Sequence, residues 1–561
     1  MSRSSFVRSL CAGLVAAMLA SGASQTFAAA YSWTPKSGAG NWTTTASWDL
    51  NNGTYPNAVG DTVRTLGNLT ANMTITLGAP ITLSSLAFGD QNNSYFATTF
   101  NPGSGGSFTF SSTTGTTSMS QGGTVNQTST NENFLNTPLN LDSTLNVSFT
   151  TTSGVANIAV TGSVTASSAG LKMIRYVPGS SATTTGASYL SFSGNITDGS
   201  GQIGILQNCL APNVASNSLK LTGTGNNFSG PVQILSRILE ASPASGTNGV
   251  LGTGSLQLGD TTGSNTATLN LGGSLSTVTE QNAITVPDGS SGTRRIAVTG
   301  TGNRILSGGM SVLNAGGVTL ACPSAGSMTF SNAITGTGSV TISSTGSGVV
   351  IFGGNNTYTG ATTVTQGSLR LDGSLDAAST LSVAAAAWLG GSGTANGTAT
   401  ISGTMSPGAS GATGVLSLGS LVLTSTSTSL IELSAAGTRG TDYDGLSILN
   451  ASGLTYGGTM SLAFGGSKLA STTFDVFSFT GSSAGSFATI TSTGYYAGTW
   501  TNNNDGTYSF AQAEQTLTFT QSTGDVIVVP EPAATSVAAL GIAAAIACLR
   551  LKRSRHRHPG G

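Results

Sequence analysis

The sequence predicts an all-β protein: a right-handed parallel β-helix or β-solenoid with β-rich caps, flanked by an N-terminal signal helix and a C-terminal transmembrane helix. Three observations carry this expectation. Composition is the first. Of 561 residues, 79 are glycine and only 7% are charged, against roughly 25% in an ordinary soluble domain. Glycine and β-branched threonine are poor in helix interiors, and 38% apolar residues are too many for a solvated disordered chain. Second, short runs alternate apolar with hydroxyl residues between turn residues, as in Ser339-Val-Thr-Ile342, Ser368-Leu-Arg-Leu371, Leu416-Ser-Leu418 and Met460-Ser-Leu-Ala-Phe464. Period two over a few residues is the signature of a strand. Third, the chain repeats itself. Residues 328–371 and 190–240 share one plan, with Ile196 lying 138 residues before Ile334 and Phe228 lying 130 before Tyr358. The first copy thus holds about eight extra residues, placed around Cys209. Repetition selects a solenoid over a sandwich or barrel, because stacked repeats bury a continuous core that no single repeat can.

Arg3 and Arg8 form a positive n-region, Leu10 to Ala20 an apolar h-region, and Ala28-Ala29-Ala30 a small-residue cleavage site before Tyr31. Residues 1–30 therefore read as a secretory signal peptide with Ala28 and Ala30 at the cut. Residues 31–110 are expected to be an N-terminal β cap. Trp33, Trp42 and Trp48 cluster there and fit two uses, glycan stacking or covering the open apolar end of a solenoid; the cap is favoured, since tryptophan fills such an end efficiently. Residues 111–430 form the expected solenoid, with repeats at 190–240 and 328–371, and 431–525 a further β-rich region. From Ala533 to Leu551 runs an apolar stretch without charge until Arg550. As a helix it spans about 28 Å at 1.5 Å per residue, enough for a hydrocarbon core. Arg550, Lys552, Arg553, Arg555 and Arg557 form a basic tail that the positive-inside rule keeps cytoplasmic.

Two stretches resemble known families. Val529-Pro530-Glu531-Pro532, the apolar run and the basic tail, in that order, resemble the PEP-CTERM sorting signal of Gram-negative envelope proteins over residues 529–561. The resemblance implies that Pro530, Glu531 and Pro532 are read by an exosortase, a membrane cysteine transpeptidase or protease that processes the tail. Asn355-Asn-Thr-Tyr-Thr-Gly-Ala-Thr-Thr-Val-Thr-Gln-Gly-Ser-Leu-Arg-Leu371 resembles the autotransporter-associated β-strand repeat, the passenger-associated repeat of secreted bacterial β-helices. On that reading Asn and Gly make tight corners, Tyr358 and Phe228 stack inward, and Val364, Leu369 and Leu371 fill the interior. Gly40-Asn-Trp42 with Trp48, Pro56 and Gly60-Asp61 is similar to the opening segment of such proteins, and Gly390-Gly-Ser-Gly-Thr394 with Met405-Ser-Pro-Gly408 to the coil after the repeat.

The charges exclude several chemistries. Both histidines, His556 and His558, lie in the tail, so Ser-His-Asp triads, Cys-His dyads and imidazole zinc sites are absent from 31–532. That body carries 12 basic and 20 acidic groups, a net of about −8 that the whole-chain value of −1 conceals. No basic stripe is present, which excludes nucleic acid as a partner. Asp442 and Asp444, in Asp-Tyr-Asp-Gly445, look like the start of a calcium loop without its remaining ligands; turn aspartates bonding their own backbone are the commoner use. Arg294-Arg295 and scattered acids give no acid–base pair in sequence for lyase or glycosidase chemistry. No catalytic residue, metal or cofactor is assigned. Cys11 leaves with the signal peptide and Cys548 sits in the tail helix, which leaves Cys209 and Cys322 in the body; a disulfide and two buried thiols are both open.

The expected function is that of a non-enzymatic exported protein, structural or adhesin-like. It is first held in the inner membrane by its C-terminal helix and then resides at the cell surface or in the extracellular matrix of a Gram-negative bacterium. Its expected partners are an exosortase-type processing enzyme and extracellular polysaccharide. The alternative is a carbohydrate-binding or carbohydrate-active β-helix acting on that polysaccharide.

Overall fold

A computed structural model describes residues 28–530 apart from 51, 92–95, 124–131, 152–156, 178–187, 210–217, 245, 247–248, 274–276, 410 and 513. The segment before Ala28, Glu531, Pro532, the apolar run and the basic tail lie outside the described residues, as do most of the extra residues expected around Cys209. The described chain is built of strands, with two single-turn 3-10 helices at Thr45–Ser47 and Gly494–Tyr496. Among the described residues no helix is long and apolar enough to cross a membrane. The strands fall into two compact units, one extending to Gly204 and the other comprising Ile205–Cys209 and the chain from Ser218 onward. The repeat copy at 190–240 runs across that division.

In the first unit the strands pair in parallel, coil upon coil, in three sheets. One sheet joins Ala30–Ser32, Thr62–Gly67, Ser85–Asp90, Thr116–Gly123, Thr144–Thr151 and Leu171–Tyr176. A second runs from Gly38–Asn41 through Met73–Thr76 and Thr98–Asn101 to Tyr189–Phe192. A third runs from Pro80–Leu83 through Ser107–Phe110 to Ile196–Thr197.

The second unit repeats the arrangement. One sheet stacks Val232–Ile234, Leu256–Leu258, Ile284–Val286, Met310–Val312 and Ile334–Gly336. Another runs from Arg237–Ala241 through Val318–Ala321 to Leu454–Tyr456. The third runs from Thr277–Glu280 through Ser327–Phe330 and Ala387–Gly391 to Thr489–Thr493. Parallel sheets of this kind, closed by turning the chain once per coil, define a β-solenoid. Parallel pairing begins at Ala30 and continues beyond residue 430, so it is wider than the expected 111–430. The physical reason is that Met73–Thr76 and Thr459–Phe464 show the same alternation of buried apolar and outward hydroxyl residues as the strands between them. At the C-terminal end Thr501–Asn502, Thr507–Gln512, Gln515–Thr520, Asp525–Pro530 and Thr472–Asp475 form an antiparallel sheet. Pro530 ends that sheet opposite Gln515.

Alternation places every second side chain inside. Leu320, Ile342, Val364, Val383 and Ile401 stand one above another in register, all buried. Leu306, Phe330, Phe352 and Leu371 make a second buried column, with the two phenylalanine rings edge to face at 5.9 Å. Burying each such side chain stabilises the fold by about 1.5–3 kcal/mol. Val364, Leu369 and Leu371 thus occupy the interior, as do Tyr358 and Phe228. Cys209 and Cys322 are buried and not joined in a disulfide, and burial pushes the Cys322 thiol up to about 12.

The corners are held by buried asparagine. Asn356 Oδ1 accepts the Ile334 N–H at 2.9 Å, while Nδ2 donates to the carbonyls of Gly354 at 3.0 Å and Ser374 at 2.9 Å. One side chain therefore ties the coil below to the coil above. Asn226, its counterpart in the other repeat copy, donates to the Val250 carbonyl at 2.8 Å. Asn356→Ala strands the buried Ile334 N–H and takes one of two donors from each of the Gly354 and Ser374 carbonyls, and is expected to cost about 1–3 kcal/mol, read as a lower urea midpoint. Asn355→Ala, at the exposed neighbour, is expected to change it by under about 0.5 kcal/mol.

Candidate functional site

The outward residues of the third sheet of the second unit also stand in register. One outer column reads Thr277, Asn303, Ser327, Val349, Ser368 and Trp388, and the next Thr279, Ile305, Thr329, Ile351 and Arg370. Between them lies an open groove of about 830 Å³, lined among others by Asn303, Ile305, Ser327, Ile351, Arg370 and Trp388. A second depression of about 390 Å³, lined by Ser344, Gln366, Ala386 and Thr404, shares Ser368 and Trp388 with it. Trp388 stands where the two meet.

Local sequence explains why Trp388 faces out. Ala387 and Leu389 flank it and are buried, so alternation sends the indole to the outer face. Gly390 follows, and a Cβ placed there would fall 1.9 Å from the indole Cη2. The ring is therefore laid across the bare Gly390 backbone and is half-buried. Arg370 is held by Asp372, with Nε 2.8 Å and Nη2 2.7 Å from Oδ2, which neutralises much of its charge. The Ser327 hydroxyl donates to Asn303 Oδ1 at 2.9 Å.

The tryptophans singled out in the sequence do not form a glycan platform. Trp33, Trp42 and Trp48 are at most 2% exposed. Their rings pack edge to face at 4.9 Å for Trp33–Trp48 and 4.8 Å for Trp42–Trp48, and Trp42 meets Phe108 at 5.3 Å. Their apolar area is spent on the core of the first unit, where no sugar reaches it. Ala28 and Ala30 are exposed; Ala30 opens the first strand, and the Ala29 N–H donates to Asp61 at 3.0 Å. The described tryptophan that is not buried, Trp388, escaped the reading of composition. Its signal was the alternation Ala387-Trp388-Leu389.

Asp442 and Asp444 diverge. Asp442 accepts the Thr438 N–H at 2.6 Å in an exposed turn. Asp444 is fully buried and accepts the N–H groups of Gly414 and Glu432, both at 2.8 Å; burial pushes its carboxyl up to about 7 against those two donors. Among the described residues no three His, Cys, Asp or Glu side chains come together as a metal site. Arg294 and Arg295 also part. Arg294 turns inward, 2.8 Å from Asp260 and 2.7 Å from the Asn265 carbonyl, while Arg295 is only partly buried.

A buried polar centre went unread in the sequence. Glu280 accepts the Val250 N–H at 3.4 Å and lines a recess of about 190 Å³ with Asn226, Asn227 and Thr253. Arg304 lies on the adjacent coil and donates to the carbonyls of Gly272 and Gly273. Burial pushes the Glu280 carboxyl up to about 7, opposed by the Val250 and Leu251 N–H groups and by Arg304. A carboxyl raised above its unfolded value favours folding below pH 4.5, and that contribution is lost as pH rises through about 7. Glu280→Gln is thus expected to be neutral near pH 4 and to stabilise at pH 8 by on the order of 3 kcal/mol, read from urea midpoints at the two pH values.

No family model matches the sequence, and no curated protein is similar to it.

Proposed function

We propose that the chain is a non-enzymatic exported protein of the cell envelope or extracellular matrix of a Gram-negative bacterium, structural or adhesin-like in action. The observation that carries this reading is the outer face of the parallel sheets. Rung after rung presents hydroxyls and amides with few ionised groups, a surface suited to many weak contacts that add by avidity. The solenoid is proposed to be right-handed, the sense that about 98% of parallel crossovers adopt. The signal peptide is removed before Tyr31. The PEP-CTERM signal at Pro530, Glu531 and Pro532 presents the chain to an exosortase, with a transmembrane helix and the tail of Arg550, Lys552, Arg553, Arg555 and Arg557 behind it.

Intact-mass analysis and fractionation of the protein from its own host test the sorting. The expected result is loss of the residues before Tyr31 and of those beyond Pro532, with the body outside the cytoplasm. A tail retained through Gly561 overturns it. A strain lacking the protein is expected to attach less well to surfaces; unchanged attachment and matrix composition overturn the role.

A further inference from the structure

We propose that the outer groove ending at Trp388 binds a single extended polysaccharide chain of neutral sugars. This rests on the envelope or matrix reading and names its partner. Four features on the same face converge.

The first is length and straightness. From Thr277 to Trp388 the groove crosses six rungs in register. At about 4.8 Å per rung it runs roughly 24 Å, the length of a short oligosaccharide and far more than a small metabolite needs. The second is the indole. Trp388 is half-buried, packs over Gly390 and lines the groove, which offers apolar ring surface of the kind that the C–H face of a pyranose ring covers. Ile305 on one coil, and Val349 with Ile351 on a single strand two coils on, add apolar patches to the groove lining.

The third is hydrogen bonding. Asn303 and Ser327 stand on adjacent coils, Thr329 shares the Ser327 strand and Ser368 stands two coils further on. Hydroxyl and amide groups thus recur along the groove at multiples of the coil spacing of about 4.8 Å, close to the step of one sugar residue along an extended chain. Binding sites of this kind are apolar surfaces carrying a few placed polar groups. The fourth is charge. Arg370 is the one cation lining the groove among the described residues, and Asp372 already holds its guanidinium. A uronate-bearing chain gains little there, whereas a neutral chain loses nothing.

The test is affinity electrophoresis of the full chain through gels holding one soluble polysaccharide each: a β-1,4-glucan, a β-1,3-glucan, alginate or polygalacturonate. At least one neutral glucan is expected to retard the wild type. Trp388→Ala is expected to weaken that retardation tenfold or more with an unchanged melting temperature, because the indole lies outside the core. Ser327→Arg, which fills the groove halfway along and leaves Trp388 in place, is expected to weaken it as strongly. No retardation by either glucan, equal retardation of Trp388→Ala, or stronger retardation by the uronate polymers overturns the proposal. The measurement uses purified protein, so a failure here leaves the export and matrix reading standing, and a failure of export is seen only in the fractionation of the host.

Discussion

Trp42→Ala is expected to cost about 3–5 kcal/mol, the range for deleting a large aromatic side chain from a packed core. Trp42 is fully buried, and its indole N–H donates to the Pro56 carbonyl at 3.0 Å. Its ring touches Trp48 and Phe108 and approaches Phe100 at 6.4 Å. Trp48 in turn donates its N–H to the Trp42 carbonyl at 2.8 Å, so the change also loosens the turn through Thr45–Ser47. In a coiled array each repeat leans on its neighbours alone. Hydrogen exchange is therefore expected to rise across Ala30–Asn101 while the strands from Val318 to Phe464 keep their protection. Equal loss of protection in both regions, or a melting temperature within a degree of the wild type, contradicts this account.

Gly373→Ala is expected to be nearly as damaging although it adds one methyl group. The new Cβ would sit 2.0 Å from the Gly354 oxygen, 2.7 Å from its carbonyl carbon and 2.8 Å from the carbonyl carbon of Gly353. All three are backbone atoms of the coil beneath, so no side chain can swing away. Gly393 repeats the contact one coil on, where a Cβ would fall 2.2 Å from the Gly373 oxygen. Relief requires the coils to part at a corner where Gly373 donates to Phe352 at 2.8 Å and Asn356 to Ser374 at 2.9 Å. A loss of about 3 kcal/mol follows, at the upper end of ordinary overpacking. Gly466→Ala is the control. A Cβ there meets nothing within 4 Å, and the urea midpoint is expected to stay within about 0.5 kcal/mol of the wild type.

Much of the fold was legible because a strand with one buried face writes its orientation into every second residue. Val340 to Ile342 of the run Ser339-Val-Thr-Ile342, and Met460-Ser-Leu-Ala-Phe464, lie in the strands Val340–Ser343 and Thr459–Phe464. Alternation also placed Val364, Leu369 and Leu371 inside. The limits of the parallel stack were not legible, since coils whose turns differ in length lose the sequence repeat while keeping the register. The outward tryptophan was not legible. Tryptophans crowded near one end drew attention, yet crowding is what a core of aromatic rings produces. Trp388 stands alone in the sequence and becomes a surface feature only once Ala387 and Leu389 are seen to turn inward. Glu280 and Arg304 were invisible for a related reason. Their partners, Val250 and the Gly272–Gly273 corner, are about thirty residues away in sequence and one coil away in space.

The column of Gly354, Gly373 and Gly393 has a mechanical consequence. Where one backbone rests directly on the next, the axial pitch is set by the hard contact of a carbonyl oxygen with an α-carbon, and no side chain remains there to compress. Under thrust along the coil axis that edge of the second unit responds like stacked coins, stiff and nearly incompressible. Under tension the same edge is held by hydrogen bonds, those of the corner and of the adjoining sheets, which yield one coil at a time. A protein built this way resists crushing more than pulling, and stretched it would lengthen in steps of a single coil, dissipating force at each.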